Sequence, residues 1–208
     1  MNEYENEMIE LEDKYSNLTY ICKKGEVPVI LTAVHTMRQV REDGSCKLSE
    51  PFTKALALYV AKKTSSFCLV KNKDTGIDSN RSDDDDFKSM LLDNIKDNAI
   101  KLVIDLHGAS REREFNVEIG TLNNLTTDYA TVNELIDAFN EQGIFLIEMN
   151  EPFKGGSITK KVYFETECDV LQIEINGWYR DLENSEKMKQ VGDALINFIN
   201  QYVEIIGR

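Results

Sequence analysis

Between Lys101 and His107 the chain reads KLVIDLH, an apolar run interrupted once, by Asp105, and closed by a histidine. A short apolar run of this kind predicts a strand buried on both faces, as parallel strands lying under helices are. Outward from it the same pattern recurs. Strands are expected over Leu18–Cys22, Val27–Val34, Ser66–Val70, Ile100–Leu106, Phe115–Thr121, Ile144–Glu148 and Val170–Ile175. Amphipathic stretches between them predict helices over Glu50–Lys63, Phe87–Asn98, Tyr129–Gln142 and Asn184–Ile206. Ser49 is placed to cap the first of these, with Pro51 in its opening turn. Strands alternating with helices imply an α/β fold of three layers: a mixed, mostly parallel sheet with helices on both faces. The Phe115 run follows the Ile100 run with no helix between, so part of the sheet is expected to be antiparallel. Residues 1–17 read as an acidic arm or short helix, and residues 18–208 as one α/β domain.

Composition narrows the partners. The 208 residues carry 24 basic and 37 acidic side chains, a net charge of −13. An acidic surface repels phosphate backbones and anionic lipid, which argues against nucleic acid or membrane as a partner. A pocket with a local positive field would still take a small anion. No apolar run approaches the roughly 20 residues of a membrane-spanning helix. The N-terminus has no basic region followed by an apolar stretch, so a cytoplasmic location is expected. Cys22, Cys46, Cys68 and Cys168 show no CxxC spacing and read as reduced thiols. The acidic run SDDDD at residues 82–86 reads as a solvated stretch leading into a helix.

Open α/β sheets bind ligands at the carboxyl ends of their strands. Both histidines of the chain fall at such ends: His35 closes PVILTAVH, and His107 closes KLVIDLH. Alone, each would serve to cap a strand by hydrogen bonding; together they suggest one shared metal ion. Asp105 lies two residues before His107, on the same face of the strand, where a carboxylate can orient the imidazole. In DVLQIEINGWYR, Gln172, Glu174 and Asn176 share one face and Leu171, Ile173 and Ile175 the other. On a central strand an ionised Glu174 needs a partner, such as a metal or an arginine; on an edge strand the polar face would meet solvent. In GIDSNR, Arg81 offers a planar fork for a carboxylate and Asn80 a neutral donor. Gly155 and Gly156 in KGGSI would let backbone approach a ligand closely, and a plain turn explains the pair equally well.

Taken in order, His35, the run Asp78-Ser79-Asn80-Arg81, Asp105-Leu106-His107, Gly155-Gly156 and Gln172-Ile173-Glu174 resemble the N-formylglutamate amidohydrolase family. More distantly the chain resembles the zinc carboxypeptidase, aspartoacylase and succinylglutamate desuccinylase group. The likeness runs from about Val27 to Arg180 on short, separated motifs. It implies a phosphorylase/hydrolase-like fold, a single Zn2+ or another divalent transition metal, and hydrolysis of an amide next to a carboxylate. It makes His35 and His107 metal ligands, Asn80 and Arg81 the grip on the substrate carboxylate, and Glu174 the general base and acid. Arg111, with a looser match, or Arg113 would polarise the scissile carbonyl. The more distant relatives carry a metal-binding glutamate three residues after the first histidine, where this chain has Arg38. The third ligand is then sought among Glu42, Asp43 and Glu50, with Glu50 preferred for its place at a strand-loop-helix crossover. Without a metal, a glutamate there would simply favour the helix dipole. Two rivals follow: an anion-binding protein of the same fold without turnover, and a metallocarboxypeptidase acting on short peptides.

Overall fold

The computed structural model describes residues 1–14, 17–41, 43–82 and 85–207. Its sheet contains β1 (Tyr20–Lys23), β2 (Val27–Ala33), β5 (Ser66–Lys71), β6 (Leu102–Ala109), β7 (Val117–Gly120), β8 (Ile147–Met149) and β9 (Asp169–Asn176). The spatial order is β1-β5-β2-β6-β9-β7-β8, and β3 (Gln39–Val40) pairs with β4 (Cys46–Lys47) in a small separate hairpin. The run β5-β2-β6-β9 is parallel. β1 is antiparallel to β5, and β7 is antiparallel to β9. The mixed α/β sheet read from the sequence is therefore present, including the antiparallel Phe115 segment. No helix among the described residues is long and apolar enough to cross a membrane.

Alternation along the strands sorts side chains between two cores. On one face, Leu31, Ile104, Leu106, Ile173 and Ile175 pack under α1 (Glu3–Asp13), α2 (Thr53–Thr64), α4 (Tyr129–Glu141) and α6 (Ser185–Ile206). On the other, Ile30, Leu69, Val103 and Val170 pack under α3 (Asp86–Asp97) and α5 (Ser157–Glu165). Each fully buried side chain of this size stabilises the fold by about 1.5–3 kcal/mol. Toward the carboxyl ends of β6 and β9 this second face changes character. Asp105 and His107 stand beside Gln172 and Glu174 in register, all buried. β9 lies between β6 and β7, so the edge-strand alternative for Glu174 is excluded.

Several element bounds differ from expectation for physical reasons. The first long helix starts at Thr53, so Ser49 is not its cap and Pro51 not within its first turn. The cap position is Phe52, in the left-handed region at φ 63°. Two amides there are satisfied from a distance, Phe52 N and Ala55 N both donating to the carboxylate of Glu12 on α1. Glu50 is held elsewhere, its amide donating to the His35 carbonyl at 2.8 Å. The acidic arm is thus the helix α1, which caps its neighbour. β8 begins at Ile147 rather than Ile144, and α5 was not expected, its β-branched residues masking a helix that starts from Gly156. In the acidic run, Asp85 caps α3 by accepting from Lys88 N, whereas residues 83 and 84 lie outside the described residues.

Candidate metal centre

β2 and β6 deliver the two histidines to one point. The imidazole rings of His35 and His107 have centroids 5.0 Å apart. Between them lies Glu50, one carboxylate oxygen 3.0 Å from His35 Nδ1 and the other 3.4 Å from His107 Nδ1. One ligand atom from each of the three residues lies within 4.8 Å of the others. The opposite ring nitrogens are held by separate carboxylates: His35 Nε2 lies 2.8 Å from Asp78, and His107 Nε2 lies 3.0 Å from Asp105. Asp105 in turn accepts from Thr32 Oγ1 at 2.6 Å. A carboxylate behind each imidazole fixes its tautomer and leaves Nδ1 free to coordinate, the usual outer support of a metal-binding histidine. Two imidazoles and a carboxylate are a donor set suited to zinc and related divalent ions, and this arrangement fits one.

The electrostatics follow from burial and pairing. Burial alone would raise the Glu50 pKa, but the two histidines hold it well below the ordinary carboxylate value. Burial alone would depress His107, but Asp105 and Glu50 raise it well above the usual imidazole range. Asp78 is depressed despite its burial, through His35 and Arg41. Glu174 is pushed up by burial. Glu50 also accepts from Gly108 N at 2.9 Å and pairs with Lys47 at 2.6 Å, the hairpin β3–β4 carrying that lysine. Gly108 is required here because a Cβ would lie 2.3 Å from Arg180 Cζ. Arg180 is buried and donates to the carbonyls of Ile175, Pro51 and Ala109, tying Glu50's loop to the ends of β6 and β9.

The centre opens into a cleft of about 490 Å³, lined by His35, Glu50, His107 and Glu174 on its floor. Arg41, Lys47, Arg81, Arg113 and Lys154 line it as well, a positive field within an acidic chain. Gln172 Nε2 donates to Glu174 at 3.2 Å, and Gln172 Oε1 accepts from Gly156 N at 2.6 Å. Asn80 packs directly on Gly156, where an added Cβ would lie 1.9 Å from Asn80 Oδ1. Gly155, at φ 123°, makes the adjoining turn. Arg113 stacks on the Phe153 ring at 5.1 Å, its backbone carbonyl fixed by Asn176 Nδ2 at 3.0 Å.

The structure thus brings together His35, Glu50, His107, Glu174, Asn80, Arg81, Arg113, Gly155 and Gly156, with Asp105 behind His107. Arg111 is not brought into the cleft. It pairs with Asp181 and lies over Trp178 at 4.6 Å, outside the lining of the cleft, because the turn after β6 aims it away. Asp43, one of the ligand alternatives, pairs with Arg81 at 3.5 Å and accepts from Ser45 N. Glu42 lies outside the described residues. Asp78, Arg41, Lys47 and Arg180 were not foreseen as participants. Of these only Asp78 left a sequence signal, its place two residues before Asn80 in the quoted motif.

The layered α/β fold thus carries a buried His-Glu-His cluster near the carboxyl ends of its strands, where open α/β sheets bind their ligands. Residues 85–179 match the family model of N-formylglutamate amidohydrolase, FGase, and the resemblance carried by the motifs is borne out. Among solved structures, the N-formylglutamate amidohydrolase of Ralstonia eutropha JMP134 is similar at 14% identity, over 90% of this chain and 98% of that one, with a TM-score of 0.65. A bacteriophage poly-gamma-glutamate hydrolase is similar at 14% identity, over 91% and 92%, with a TM-score of 0.62. A metallo-carboxypeptidase from Burkholderia cenocepacia gives 13% identity and a TM-score of 0.52, over 90% of this chain and 61% of its own. At these identities the likeness establishes the hydrolase-like fold. No curated protein sequence matches the chain significantly.

Proposed function

We propose that this chain is a metal-dependent amidohydrolase acting on a small carboxylate-bearing substrate, an N-acyl amino acid of the N-formylglutamate kind. The observation that carries this reading is the approach of two imidazole Nδ1 atoms to Glu50, each ring backed by its own carboxylate. His35, Glu50 and His107 would hold the ion, zinc being the best match to the donors. When bound, such an ion supplies Lewis acidity and makes water nucleophilic near neutral pH.

The chain's own residues do the rest. Glu174, buried beside His107, takes the proton of the attacking water and returns it to the leaving nitrogen, so that no proton is gained or lost overall. Its raised pKa suits a group that must both accept and release a proton. Arg81 and Asn80 bind the substrate carboxylate, and Arg113, which also lines the cleft, offers a cation toward the developing oxyanion. Gly156 allows Asn80 to lie against the turn at residues 155–156.

Arg38, at the position of a metal ligand in the more distant relatives, is the feature that favours a binder without turnover. Its Nε donates to Cys46 Sγ at 2.8 Å, and Glu50 supplies the missing donor instead. The test is hydrolysis of a panel of N-acyl amino acids and short peptides by zinc-loaded protein. Release of a free amino acid from N-acyl dicarboxylic amino acids is expected. Cleavage restricted to peptides would favour the carboxypeptidase reading, and binding without cleavage the non-catalytic one.

A further inference from the structure

The strand register aligns four titratable residues in one row across the sheet. His107 on β6 stands beside Glu174 on β9, Glu174 beside Glu118 on β7, and Glu118 beside Glu148 on β8. The row runs from the metal centre to the sheet's edge: Glu118 is 0% exposed, whereas Glu148 is exposed. Val117 and Ile119 point into the core beneath α4 and α6, so Glu118 lies on the polar face, the face of the cleft.

Directly opposed residues of an antiparallel pair have Cβ atoms about 4.5–5.5 Å apart. Two carboxylates so close in a buried face do not both ionise readily, and the proton settles on the less well solvated one. Glu174 accepts from Gln172 and lines the cleft. Glu118 does neither. Its Oε1 accepts from Phe153 N, and its Oε2 is buried with no hydrogen-bond partner among the described residues. The charged groups that act on it are Glu174 from β9, Glu148 from β8 and Arg113 from the loop before β7. Burial pushes Glu118 up to about 7, with Glu174 adding to the rise and the Phe153 amide and Arg113 opposing it.

We propose that Glu118 is a positioning residue for Glu174: a carboxyl group held neutral on the adjoining strand, which leaves the negative charge of the pair on Glu174, where a base is needed. This rests on the reading of Glu174 as the base. Glu118 neither gives a proton to the substrate nor takes one from it. Its ionisation would put a second negative charge behind the cleft, opposing both the charge on Glu174 and the entry of an anionic substrate.

The test compares zinc-loaded wild-type protein with Glu118→Gln, which keeps the acceptor for Phe153 N and removes the ionisation. At about pH 6 the variant should retain kcat/KM within roughly threefold, and the alkaline fall expected of wild type should move up by about one pH unit or vanish. Superimposable pH profiles, or a folded variant more than about tenfold less active at pH 6, would overturn the proposal. Infrared difference spectra of the protein with zinc alone give a second readout that needs no turnover. A neutral-carboxyl band present at about pH 6, lost on titration through about pH 7 and missing from Glu118→Gln, is expected. Should the variant not fold, the wild-type spectrum decides, and absence of such a titrating band refutes the inference. If Glu174 is not the base, Glu174→Gln remains active while the Glu118 band persists, so the two failures are separable.

Discussion

Glu174 stands beside His107 in the register of two parallel strands, so the proposed base and a proposed ligand arise from one row of the sheet. Neither position depends on a flexible loop. Replacing Glu174 by Gln keeps the shape and the hydrogen bond to Gln172 while removing basicity. We expect kcat to fall by about 10²–10⁴ with zinc affinity nearly unchanged. Steady-state kinetics and a chelator-competition titration check this, and a Gln variant with wild-type turnover removes Glu174 from the mechanism.

The carboxylates behind the histidines should matter almost as much as the ligands. Asp78→Asn and Asp105→Asn each leave an imidazole without its anionic support, and zinc affinity should drop by about 10–100-fold in each. Asp78 also binds Arg41 and accepts from Asn80 N, so its variant should raise KM as well. An Asp105→Asn protein with unchanged affinity would show that Asp105 does not orient His107 for the metal.

Gly156→Ala introduces a Cβ where Asn80 already lies, 1.9 Å from its Oδ1. Asn80 must move, and the grip on the substrate carboxylate with it. KM is expected to rise about tenfold with a smaller change in kcat, the pattern of lost ground-state binding. A crystal structure of the variant would show Asn80 displaced; an unmoved Asn80 and unchanged KM would exclude it from substrate binding.

Arginines 111 and 113 are close in sequence and opposite in prediction. Arg113→Ala should lower kcat/KM by at least about tenfold, while Arg111→Ala, whose partners Asp181 and Trp178 lie outside the cleft, should change it less than about threefold. The reverse ranking would restore the assignment suggested by the motif.

Glu118 links the site to stability. An unfolded glutamate titrates near about 4.3, and the folded one is raised to about 7. Between those values the native state holds a proton that the unfolded chain lacks, so stability falls as pH rises through the window and stays reduced above it. Glu118→Gln should therefore raise Tm relative to wild type at about pH 8 and much less at about pH 4. Glu50 and Asp78, both depressed, act with the opposite sign and weaken the fold as pH falls through their folded values.

The strands that carry the site were legible because their apolar runs are long and give way to polar residues: His35 falls two residues beyond β2 and His107 two residues before the end of β6. Glu50 was reachable as a choice among carboxylates, although its helix starts three residues later, because Glu12, forty positions away, caps that helix. No local pattern announces a cap of that kind. Arg111 misled because spacing after a strand does not say which way a turn aims a side chain. Glu118 was hidden for a different reason. A single glutamate in VEIG looks like ordinary alternation until the antiparallel pairing sets it against Glu174.

The most direct measurement is the location and amount of bound metal. Elemental analysis together with anomalous X-ray scattering at the zinc edge should give one ion per chain between His35, Glu50 and His107, lost when His107 is replaced by Ala. A protein that binds no divalent metal, or holds it elsewhere with the His107→Ala variant still fully loaded, would contradict the account.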